Sequence, residues 1–598
     1  MSQFIDSAFR VGVEKRLIPG GVIGVYHQGE VVHRGAYGIA NVSKEQQVDF
    51  GTIRFQLGSI GKLFTALAVL REVEQGRLEL DRDVNEYLNQ FQIENPYETR
   101  ITIRQLLLHN AGFNERIIGY AARSQEDIEP LGMHLKKRMP GLFTQPGSEI
   151  SYSNYSFGLA GHLVEISSGM KFETYIEQEI FDLLEMSTAT YDIPDVNDSG
   201  FAWGYEAREE FEMVNSLPRH VIPAGSISLT GKDFMKLISS MIEEDTILLN
   251  PNHYELIKNQ QFTPHPLIMG HGLGSEMQNF NGHLGFGKAG NIPGFISYVV
   301  IMPQYNFGIF VAANTETDNF FESFTPAFFD RFFPRIAEPE AKTLQSVDFD
   351  RFTGDYRANR YNRNTVEDMF ELFAFGTKVY KTDSTLINHH NGKWQHYMPI
   401  SPLVFQNTTD PDLYFVFEED KQGRIIKMHR NVIIGGYRIP VTSEKIPFLA
   451  SGEFLNEYAA FILVPIILVL FFPFGWLFIY LRRKRKPAYF ENKTFKKATR
   501  IISLLFSVVI LVHIIGGVAP FIQLREQLVF GIPEGIIFFL GISPLIPVLL
   551  IVLMYRLFRV WQLKEGTLGA RAYLSVYTLS GLFYVLILHQ WHFIGVNI

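Results

Sequence analysis

Ser59 and Lys62 are the two residues whose types and spacing most directly suggest chemistry. They stand three residues apart in the sequence SIGK, directly before the apolar stretch LFTALAVL. At this spacing on a helix the two side chains share one face, and the N-terminus of a helix stabilises negative charge that develops near the serine. The pair therefore suits a serine nucleophile beside a lysine amine. A helix cap followed by a solvated lysine would give the same four letters, so the motif needs support from elsewhere in the chain.

Two later motifs offer that support. Tyr152 and Asn154 stand two residues apart in YSN, and Lys288 lies in the segment GKAGNIPGF among small residues that let a substrate backbone approach closely. A tyrosine has an ordinary pKa of about 10 and accepts a proton at neutral pH only where nearby cations lower that pKa. We therefore expect Lys62 and Lys288 to lower the pKa of Tyr152. We also expect the Asn154 amide to hold Lys62 and to donate to a substrate carbonyl.

The order of these three motifs, S-x-x-K, Y-x-N and K-x-G, resembles the serine β-lactamase and penicillin-binding-protein family, in particular the class C β-lactamases. The resemblance extends over about residues 5–330 and includes three connecting stretches: LDRDVNEYLNQF at 80–91, ITIRQLLLHNAGF at 101–113 and PAGSISLTGKD at 223–233. It implies an α+β fold in which an antiparallel sheet carries helices on both faces together with a helical subdomain. It also implies a reaction that passes through an acyl-enzyme.

The resemblance assigns a role to each matching residue. Ser59 is the nucleophile, and Lys62 and Tyr152 form the base system. The residues expected to contact the substrate are Asn154, Lys288 and Gly290. The backbone N–H groups of Ser59 and Asn291 are expected to form the oxyanion hole. The resemblance implies no metal and no cofactor, and we interpret His109, which lies inside the family-like stretch 101–113, as structural.

One departure from the family pattern concerns the substrate. The family's lactamases commonly have a hydroxyl residue in the middle of the third motif, where it helps to hold the substrate carboxylate, and this chain has Ala289. We expect a serine hydrolase that acts on a small peptide, amide or ester, with a D-amino-acid-specific peptidase that matures a secondary metabolite or peptide as one form of that activity. The alternatives are a cell-wall D,D-peptidase or β-lactamase, an esterase, and a non-catalytic penicillin-binding-type sensor of wall peptides.

The elements around the motifs fit this fold. Gly21–Tyr26 and Val31–Tyr37 flank a polar turn and predict a hairpin, whereas Gly294–Met302 and Phe307–Ala313 predict two further strands near the end of the same region. Leu63–Gln75 predicts the helix that follows the lysine. Two early and two late strands around a helical middle indicate a single antiparallel sheet.

The hydrolase region is expected to span residues 1–335 and to end at a linker of residues 336–346. Residues 347–446 then contain about eight short alternating segments, separated by turns such as Asn391-Gly392. This pattern predicts a small antiparallel barrel. The barrel resembles the lipocalin-like domains that follow some D-specific peptidases of the family.

The C-terminal part, residues 453–598, has the composition of a membrane domain. Four apolar runs of bilayer-spanning length occur at about residues 459–480, 501–519, 535–555 and 572–588. Nine Lys or Arg residues stand between the first two runs, whereas the next loop holds only Arg525. Basic loops stay on the cytoplasmic side, so we expect a multi-pass protein of the cell membrane whose hydrolase domain lies outside the cytoplasm.

The N-terminus and the composition add two expectations. The first twenty residues, MSQFIDSAFRVGVEKRLIPG, show no apolar signal segment, so we expect an export signal that the given start lacks. The alternatives are export by means of the first span and a hydrolase domain that stays in the cytoplasm. The 598 residues contain no cysteine and carry a net charge of −8, which excludes disulfides, thiolate metal sites and cysteine nucleophiles and gives no sign of nucleic-acid binding. The expected partners are a small substrate and the lipid bilayer, and a membrane partner protein is left open.

Overall fold

The computed structural model describes two compact units. The described residues are 1–194, 198–207, 210–316, 319–336, 344, 347–368, 376–390, 392–447, 466–469, 471, 475 and 495–594. The first unit consists of the described parts of Met1–Arg116, Tyr120–Arg360 and Thr377–Lys445. The second consists of the described parts of Ile117–Gly119, Tyr361–Gly376 and Ile446–Ile598. The first unit contains all of the residues predicted to do chemistry.

An antiparallel sheet of eight strands forms the centre of the first unit. The early strands pair with the late ones as predicted, with Gly21 opposite Ala313. The strands of this unit before the barrel are β1 (Gly20–His27), β2 (Glu30–Asn41), β3 (Gln46–Gln47), β4 (Phe55–Gln56), β5 (Gly204–Ala207), β6 (Phe211–Val214), β7 (Ser228–Leu229), β8 (His271–Gly272), β9 (Ser275–Phe280), β10 (His283–Ile292), β11 (Phe295–Met302) and β12 (Phe307–Ala313). The order in the sheet is β3-β2-β1-β12-β11-β10-β9-β8, and two short pairs, β4 with β7 and β5 with β6, lie outside it.

Helices cover both faces of the sheet, which is why its central strands are buried and apolar throughout. On one face Phe9 of the first helix contacts Phe320 of the ninth, with ring centroids 5.0 Å apart. On the other face Phe234 stacks on Phe310 at 4.0 Å. The helices of this unit are α1 (Ser2–Glu14), α2 (Gly61–Glu74), α3 (Ile103–Leu107), α4 (Leu131–Lys137), α5 (Asn154–Ser168), α6 (Phe172–Ile176), α7 (Gly231–Glu243), α8 (Pro251–Lys258) and α9 (Asn319–Phe332). The predicted α+β fold is confirmed.

Eight further strands close into a barrel, as the alternating segments predicted. They are β13 (Gly354–Ala358), β14 (Gly376–Lys381), β15 (Leu386–His390), β16 (Lys393–Ser401), β17 (Val404–Asn407), β18 (Tyr414–Glu419), β19 (Ile425–Ile434) and β20 (Tyr437–Lys445). Aromatic rings fill the centre, where Phe352 contacts Phe417 at 4.8 Å and Tyr397 stacks on Phe415 at 3.7 Å. Most of the predicted linker, 336–346, lies outside the described residues.

The second unit is built from apolar helices. Its described helices are α10 (Lys497–His513), α11 (Ala519–Gln523), α12 (Glu534–Gly541), α13 (Leu545–Gln562) and α14 (Leu568–Gln590). They form three helical stretches that are long and apolar enough to cross a membrane: Lys497–Gln523, Glu534–Gln562 and Leu568–Gln590. These stretches coincide with the last three predicted spans. The predicted first span, 459–480, falls almost wholly outside the described residues, so the described part of the chain supports three spans and not the predicted four.

Candidate active site

Ser59 lies in a single 3-10 turn, Gly58–Ile60, which leads directly into α2. Gly58 has a φ of +53°, a left-handed conformation that favours glycine, and a Cβ there would lie 2.8 Å from the Ile292 side chain. The turn therefore fits closely beside the end of β10 and leaves Ser59 partly exposed at the start of the helix. Lys62 follows in the first turn of α2, and its side chain is fully buried.

The Nζ of Lys62 makes three polar contacts. It lies 3.0 Å from the Oγ of Ser59, 2.8 Å from the Oδ1 of Asn154 and 2.6 Å from the backbone oxygen of Ala224. A neutral amine has two N–H groups and one lone pair, so two donated bonds to the carbonyl oxygens leave the lone pair for the Ser59 hydroxyl. The expected hold of Asn154 on Lys62 is therefore present in the structure.

The charge state of Lys62 follows from its surroundings. Burial lowers the pKa of Lys62 well below its ordinary value, and the positive charges of Lys288 and Arg360 lower it further. The nearby carboxylates of Glu115 and Glu276 act in the opposite direction but have smaller effects. A lysine with a strongly lowered pKa provides the neutral amine that a general base requires.

Tyr152 also contacts the serine, because its hydroxyl donates a hydrogen bond of 2.7 Å to the Oγ of Ser59. The expected lowering of its pKa is wrong. The atoms packed around the phenol exclude water from it, and this loss of solvation raises the pKa of Tyr152. The effect is larger than the lowering of the pKa by the positive charge of Arg360 and by the hydrogen bond to Ser59. Tyr152 therefore remains a protonated phenol at neutral pH, and it can give a proton rather than take one from the resting serine.

His109 supports the Tyr152 ring. The two rings stack with centroids 4.1 Å apart, and the Nδ1 of His109 accepts the backbone N–H of Ser153 at 3.1 Å. His109 is buried, and burial lowers its pKa well below the ordinary value, so the imidazole is neutral. It touches the face of the phenol and not the reacting oxygen, in keeping with its interpretation as structural.

Glu115 is a site residue that the sequence argument did not single out. Its Oε2 accepts the backbone N–H of Asn154 at 3.1 Å, at the first residue of α5, and so helps to fix the amide that holds Lys62. The carboxylate is buried, and burial raises the pKa of Glu115. The available signal was weak, because Glu115 lies two residues beyond the family-like stretch 101–113.

Lys288 on β10 forms a buried ion pair with Glu276 on β9. The two side chains are only 3% and 1% exposed, and the Nζ of Lys288 lies 5.2 Å from the centroid of the Tyr152 ring. The structure thus places this charge beside Tyr152 and away from solvent. Direct contact between Lys288 and a substrate stays a prediction.

Gly290 and Asn291 bring the end of β10 against the turn that carries Ser59. A Cβ on Gly290 would lie 1.9 Å from the backbone oxygen of Leu57, so only glycine allows this approach. The backbone nitrogen of Asn291 would lie 3.5 Å from a Cβ on Gly58, so its N–H stands next to the Ser59 turn. The substrate contact of Gly290 and the oxyanion hole formed by Ser59 and Asn291 stay predictions.

The barrel contributes a further cation. Arg360 follows β13, and its guanidinium carbon lies 4.5 Å from the centroid of the Tyr152 ring. Its Nε lies 3.5 Å from the Oε2 of Glu115. No local pattern in the sequence connects residue 360 with residues 115 and 152, because the contact depends on how the barrel is placed within the first unit.

A small cavity opens next to the serine turn. Gly225 lines it, and a Cβ on Gly225 would lie 3.0 Å from the backbone nitrogen of Ser59. The walls carry both apolar and polar side chains, and the lining residues are Gln56, Ile128, Tyr191, Asp192, Ile193, Leu217, Arg219, Ile222, Gly225, Ser226, Ile227 and Ser228. The cavity thus offers a partly apolar surface beside the backbone nitrogen of Ser59.

One cluster in the described ranges has metal-ligating side chains, namely Glu129, His134 and His220. Its members already satisfy one another. Glu129 contacts the Nδ1 of His134 at 3.1 Å and Lys137 at 2.6 Å, and the Nδ1 of His220 accepts the Glu129 N–H at 3.1 Å. The two imidazoles stack with centroids 4.5 Å apart. We interpret the cluster as a group of polar side chains that stabilise one another.

Comparisons with known proteins agree on the first part of the chain. A family model described as Beta-lactamase matches residues 5–327. Protein flp of Staphylococcus aureus (strain N315) is 24% identical over 324 residues, which are 53% of this chain and 64% of that protein. The beta-lactamase of Escherichia coli (strain K12) is 26% identical over 193 residues, which are 32% of this chain and 49% of that protein. The chain therefore spans less than two thirds of the length of these curated relatives.

Solved structures extend the similarity in fold. The crystal structure of SurE matches with a TM-score of 0.52 at 19% identity and covers 74% of this chain and 98% of SurE. The crystal structure of SurE with D-Leu matches with a TM-score of 0.51 at 18% identity and covers 74% of this chain and 100% of that one. At such identities the likeness concerns the fold alone.

Proposed function

Because the chain belongs to the beta-lactamase family, we propose that it is a serine hydrolase that forms an acyl-enzyme on Ser59 from an amide or an ester. The observation that carries this proposal is the position of the Lys62 Nζ, which is buried, 3.0 Å from the Oγ of Ser59 and held by two carbonyl oxygens. A serine is a weak nucleophile unless a base removes its proton as it attacks. A pure binding protein has no need of this arrangement.

The proposed reaction moves one proton through the site. The lone pair of Lys62 takes the Ser59 proton while the Oγ attacks the substrate carbonyl, and the carbonyl oxygen becomes negative. The bond to the leaving nitrogen or oxygen then breaks, and that atom takes a proton from the phenol of Tyr152, which Lys62 reprotonates. Water afterwards attacks the acyl carbon with the same base and releases the acid.

The negative oxygen needs donors while it exists. In this proposal the backbone N–H groups of Ser59, in the 3-10 turn before α2, and of Asn291, near the end of β10, point to it. Removal of one such donor typically lowers the catalytic rate by a factor of about 10²–10³. The close fit of Gly290 against Leu57 supports the proposal, because it holds β10 against the serine turn.

The substrate is expected to be a peptide-like amide or ester with a small apolar acyl side. The apolar side chains of Ile128, Ile222 and Ile227 on the wall of the cavity beside Gly225 favour such a group. Ala289 replaces the hydroxyl residue of the family's lactamases, which favours a peptidase or esterase over penicillin hydrolysis. D-amino-acid derivatives are the first compounds to test, because SurE has been solved with D-Leu.

We also propose that apolar helices anchor the hydrolase to the cell membrane, with the catalytic unit outside the cytoplasm. Three described helical stretches are long and apolar enough to cross a bilayer. The distribution of Lys and Arg between the apolar runs supports this orientation. The anchor would keep the enzyme close to substrates that leave the cell.

The test is turnover of a substrate panel by the full chain in detergent micelles. The panel contains N-acyl derivatives of D- and L-amino acids as amides and as esters, together with a penicillin, and product formation is followed by mass spectrometry. We expect release of an amine or alcohol from at least one amide or ester. The Ser59→Ala variant is the control and should release none. Turnover that persists in this variant would remove the proposal, and binding without turnover by the wild type would favour a sensor.

A further inference from the structure

The interior of the barrel carries polar side chains next to its apolar core. Met428 of β19 and Leu386 of β15 belong to that core. Residues two positions apart on a strand share a face, so Arg430 and Asn388 also point into the barrel. The two side chains are buried, because Arg430 is 9% exposed and Asn388 is 1% exposed.

Arg430 is a buried cation to which the described chain gives no carboxylate. Its Nη1 donates to the Oγ1 of Thr377 on β14 at 3.3 Å, and the strands β20 and β13 lie between β19 and β14 in the closed order. Its Nε is buried without an acceptor among the described residues, none of whose acids forms an ion pair with it. Burial lowers the pKa of Arg430, but a guanidinium keeps its charge at neutral pH. The charge therefore stays inside the barrel with one neutral hydrogen-bond partner.

Tyr397 does not supply the missing negative charge. Its hydroxyl donates to the Oε1 of Gln395 at 3.0 Å. Burial raises the pKa of Tyr397 to about 12, although the Asn407 amide and the positive charge of Arg430 act in the opposite direction. The phenol near Arg430 is therefore neutral at neutral pH and does not act as its counter-ion.

A second buried arginine of the same barrel has the partners that Arg430 lacks. Arg438 of β20 is 7% exposed and forms ion pairs with Asp410 at 2.7 Å and with Asp412 at 3.3 Å. A charge removed from water is unfavourable unless an opposite charge and hydrogen bonds compensate it. The chain meets this requirement at Arg438, whereas its described part leaves the requirement unmet at Arg430. An anion from outside the chain would meet it.

Asn388 adds a second set of buried polar atoms. Neither its Oδ1 nor its Nδ2 has a hydrogen-bond partner in the described structure. Asn388 is opposite Val379 of β14, and Thr377, which accepts from Arg430, lies two residues before Val379 on the same face. Diagonal neighbours of this kind are about 7–8 Å apart, within reach of long side chains. The strand register thus places the Asn388 amide beside the guanidinium.

We propose that the barrel binds a small organic carboxylate between Arg430 and Asn388. Because Nη1 is the atom that binds Thr377, the edge formed by Nε and Nη2 faces the ligand, and such an edge holds both oxygens of a carboxylate in a planar fork. The Asn388 amide donates to the same group. The inference does not rest on the proposed function, because no step of that reaction uses these residues.

The surroundings favour an organic acid over an inorganic anion. Val379 belongs to the apolar core of the barrel, and the Tyr397 ring stacks on Phe415 at 3.7 Å. A short carbon chain packs on such side chains, whereas chloride presents a single atom to the fork. Thr377 is half-buried, so this end of the barrel is less enclosed than the core.

The test measures binding of acetate, propionate and butyrate to the full chain in detergent by isothermal titration calorimetry, in a buffer without chloride. Butyramide has the shape of butyrate without its charge, and sodium chloride supplies the inorganic anion. The variants are Arg430→Gln, which removes the charge, and Asn388→Leu, which keeps Arg430 and removes the amide. Arg351→Gln is the matched control, because Arg351 is a barrel arginine that is 40% exposed and pairs with Glu419 at 2.5 Å.

We expect at least one of the three carboxylates to bind, with butyramide and chloride at least about tenfold weaker. Arg430→Gln should weaken carboxylate binding by about 10–100-fold, as for lost charge-assisted hydrogen bonds. Asn388→Leu should weaken it by about 2–10-fold, and Arg351→Gln should leave it unchanged. Melting temperatures establish that the variants fold.

Three results would overturn the inference. Failure of the folded wild type to bind any of the three carboxylates would mean that water alone solvates Arg430. Equally tight binding by Arg430→Gln would place the carboxylate at another site, the active site included. Chloride binding as tight as that of the carboxylates would mean that the site does not select an organic acid. If Arg430→Gln does not fold, Asn388→Leu decides, because unchanged binding in that variant overturns the inference as well.

Discussion

The Nζ of Lys62 lies 3.0 Å from the Oγ of Ser59, one helical turn away in the same chain segment. Its other two contacts come from Asn154 and Ala224, which stand 92 and 162 residues further along the chain. The short motif thus provides the nucleophile and the amine, and two distant segments fix the direction of the lone pair. Transfer of the Ser59 proton to Lys62 in the proposed reaction depends on this relationship.

Tyr152→Phe separates a proton-transferring phenol from a packing ring. The variant keeps the stack on His109 and removes the oxygen that lies 2.7 Å from the Ser59 Oγ. We expect the rate of acylation to fall by about 10²–10⁴, the usual range for general acid–base catalysis. Pre-steady-state acylation between pH 5 and pH 9 measures it. A variant that acylates at the wild-type rate would leave Lys62 as the sole proton-transfer group.

Lys62→Met tests whether the buried amine is neutral in the folded protein. A lysine with a lowered folded pKa binds fewer protons folded than unfolded, so the stability of the wild type should rise with pH between the folded pKa and about 10.5. The methionine variant lacks this dependence. We therefore expect the free energy of unfolding of the wild type, relative to that of the variant, to increase by up to about 1.4 kcal/mol per pH unit across that window.

The measurement is thermal unfolding of both proteins in the same detergent at pH 7, 8, 9 and 10. The Tm of the wild type minus the Tm of Lys62→Met should increase steadily as the pH rises. Lys62→Arg is the control, since a guanidinium stays charged throughout and should be less stable at every pH. A constant difference between wild type and Lys62→Met would indicate that Lys62 has an ordinary pKa.

Lys288 and Glu276 should shift the acid limb of the activity profile in opposite directions. Lys288 lowers the pKa of Lys62 and Glu276 raises it. Activity requires neutral Lys62, so Lys288→Met should move the rise of kcat/KM to higher pH, and Glu276→Gln should move it to lower pH. Profiles of kcat/KM between pH 4 and pH 9 check this. Shifts in the same direction would mean that the charges of these two groups do not set the pKa of Lys62.

The orientation of the catalytic unit is tested with intact cells. We expect a protease added outside to remove the residues before the apolar helices, because the basic loop segments between the apolar runs should remain in the cytoplasm. For cells with an outer membrane the experiment uses spheroplasts. Protection in this assay together with cleavage in inside-out vesicles would reverse the orientation.

Much of the fold was predictable because its signals are local. The strand pair around residues 27–30, the helix after Ser59 and the alternating segments of the barrel each follow from side-chain periodicity over short stretches. The apolar runs near residues 501–588 likewise need only composition. The family resemblance joined these pieces, since three spaced motifs fix which distant segments meet.

The electrostatics of the site were not predictable, because they depend on burial and on contacts between distant segments. The sequence suggested two cations that lower the pKa of Tyr152. In the structure Lys288 is paired with Glu276, and the exclusion of water from the phenol raises that pKa. Glu115 and Arg360 also carry no local pattern that identifies them. They become site residues through the start of α5 and through the placement of the barrel.

The most direct test of the account is the mass of the protein after reaction with its substrate or with a fluorophosphonate. The full chain is stopped with acid within one turnover, digested, and analysed by mass spectrometry beside the Ser59→Ala variant. The account predicts an acyl or phosphonyl adduct on the peptide that contains Ser59 in the wild type, and none in the variant. An adduct on another residue, or substrate turnover that continues in Ser59→Ala, would contradict it.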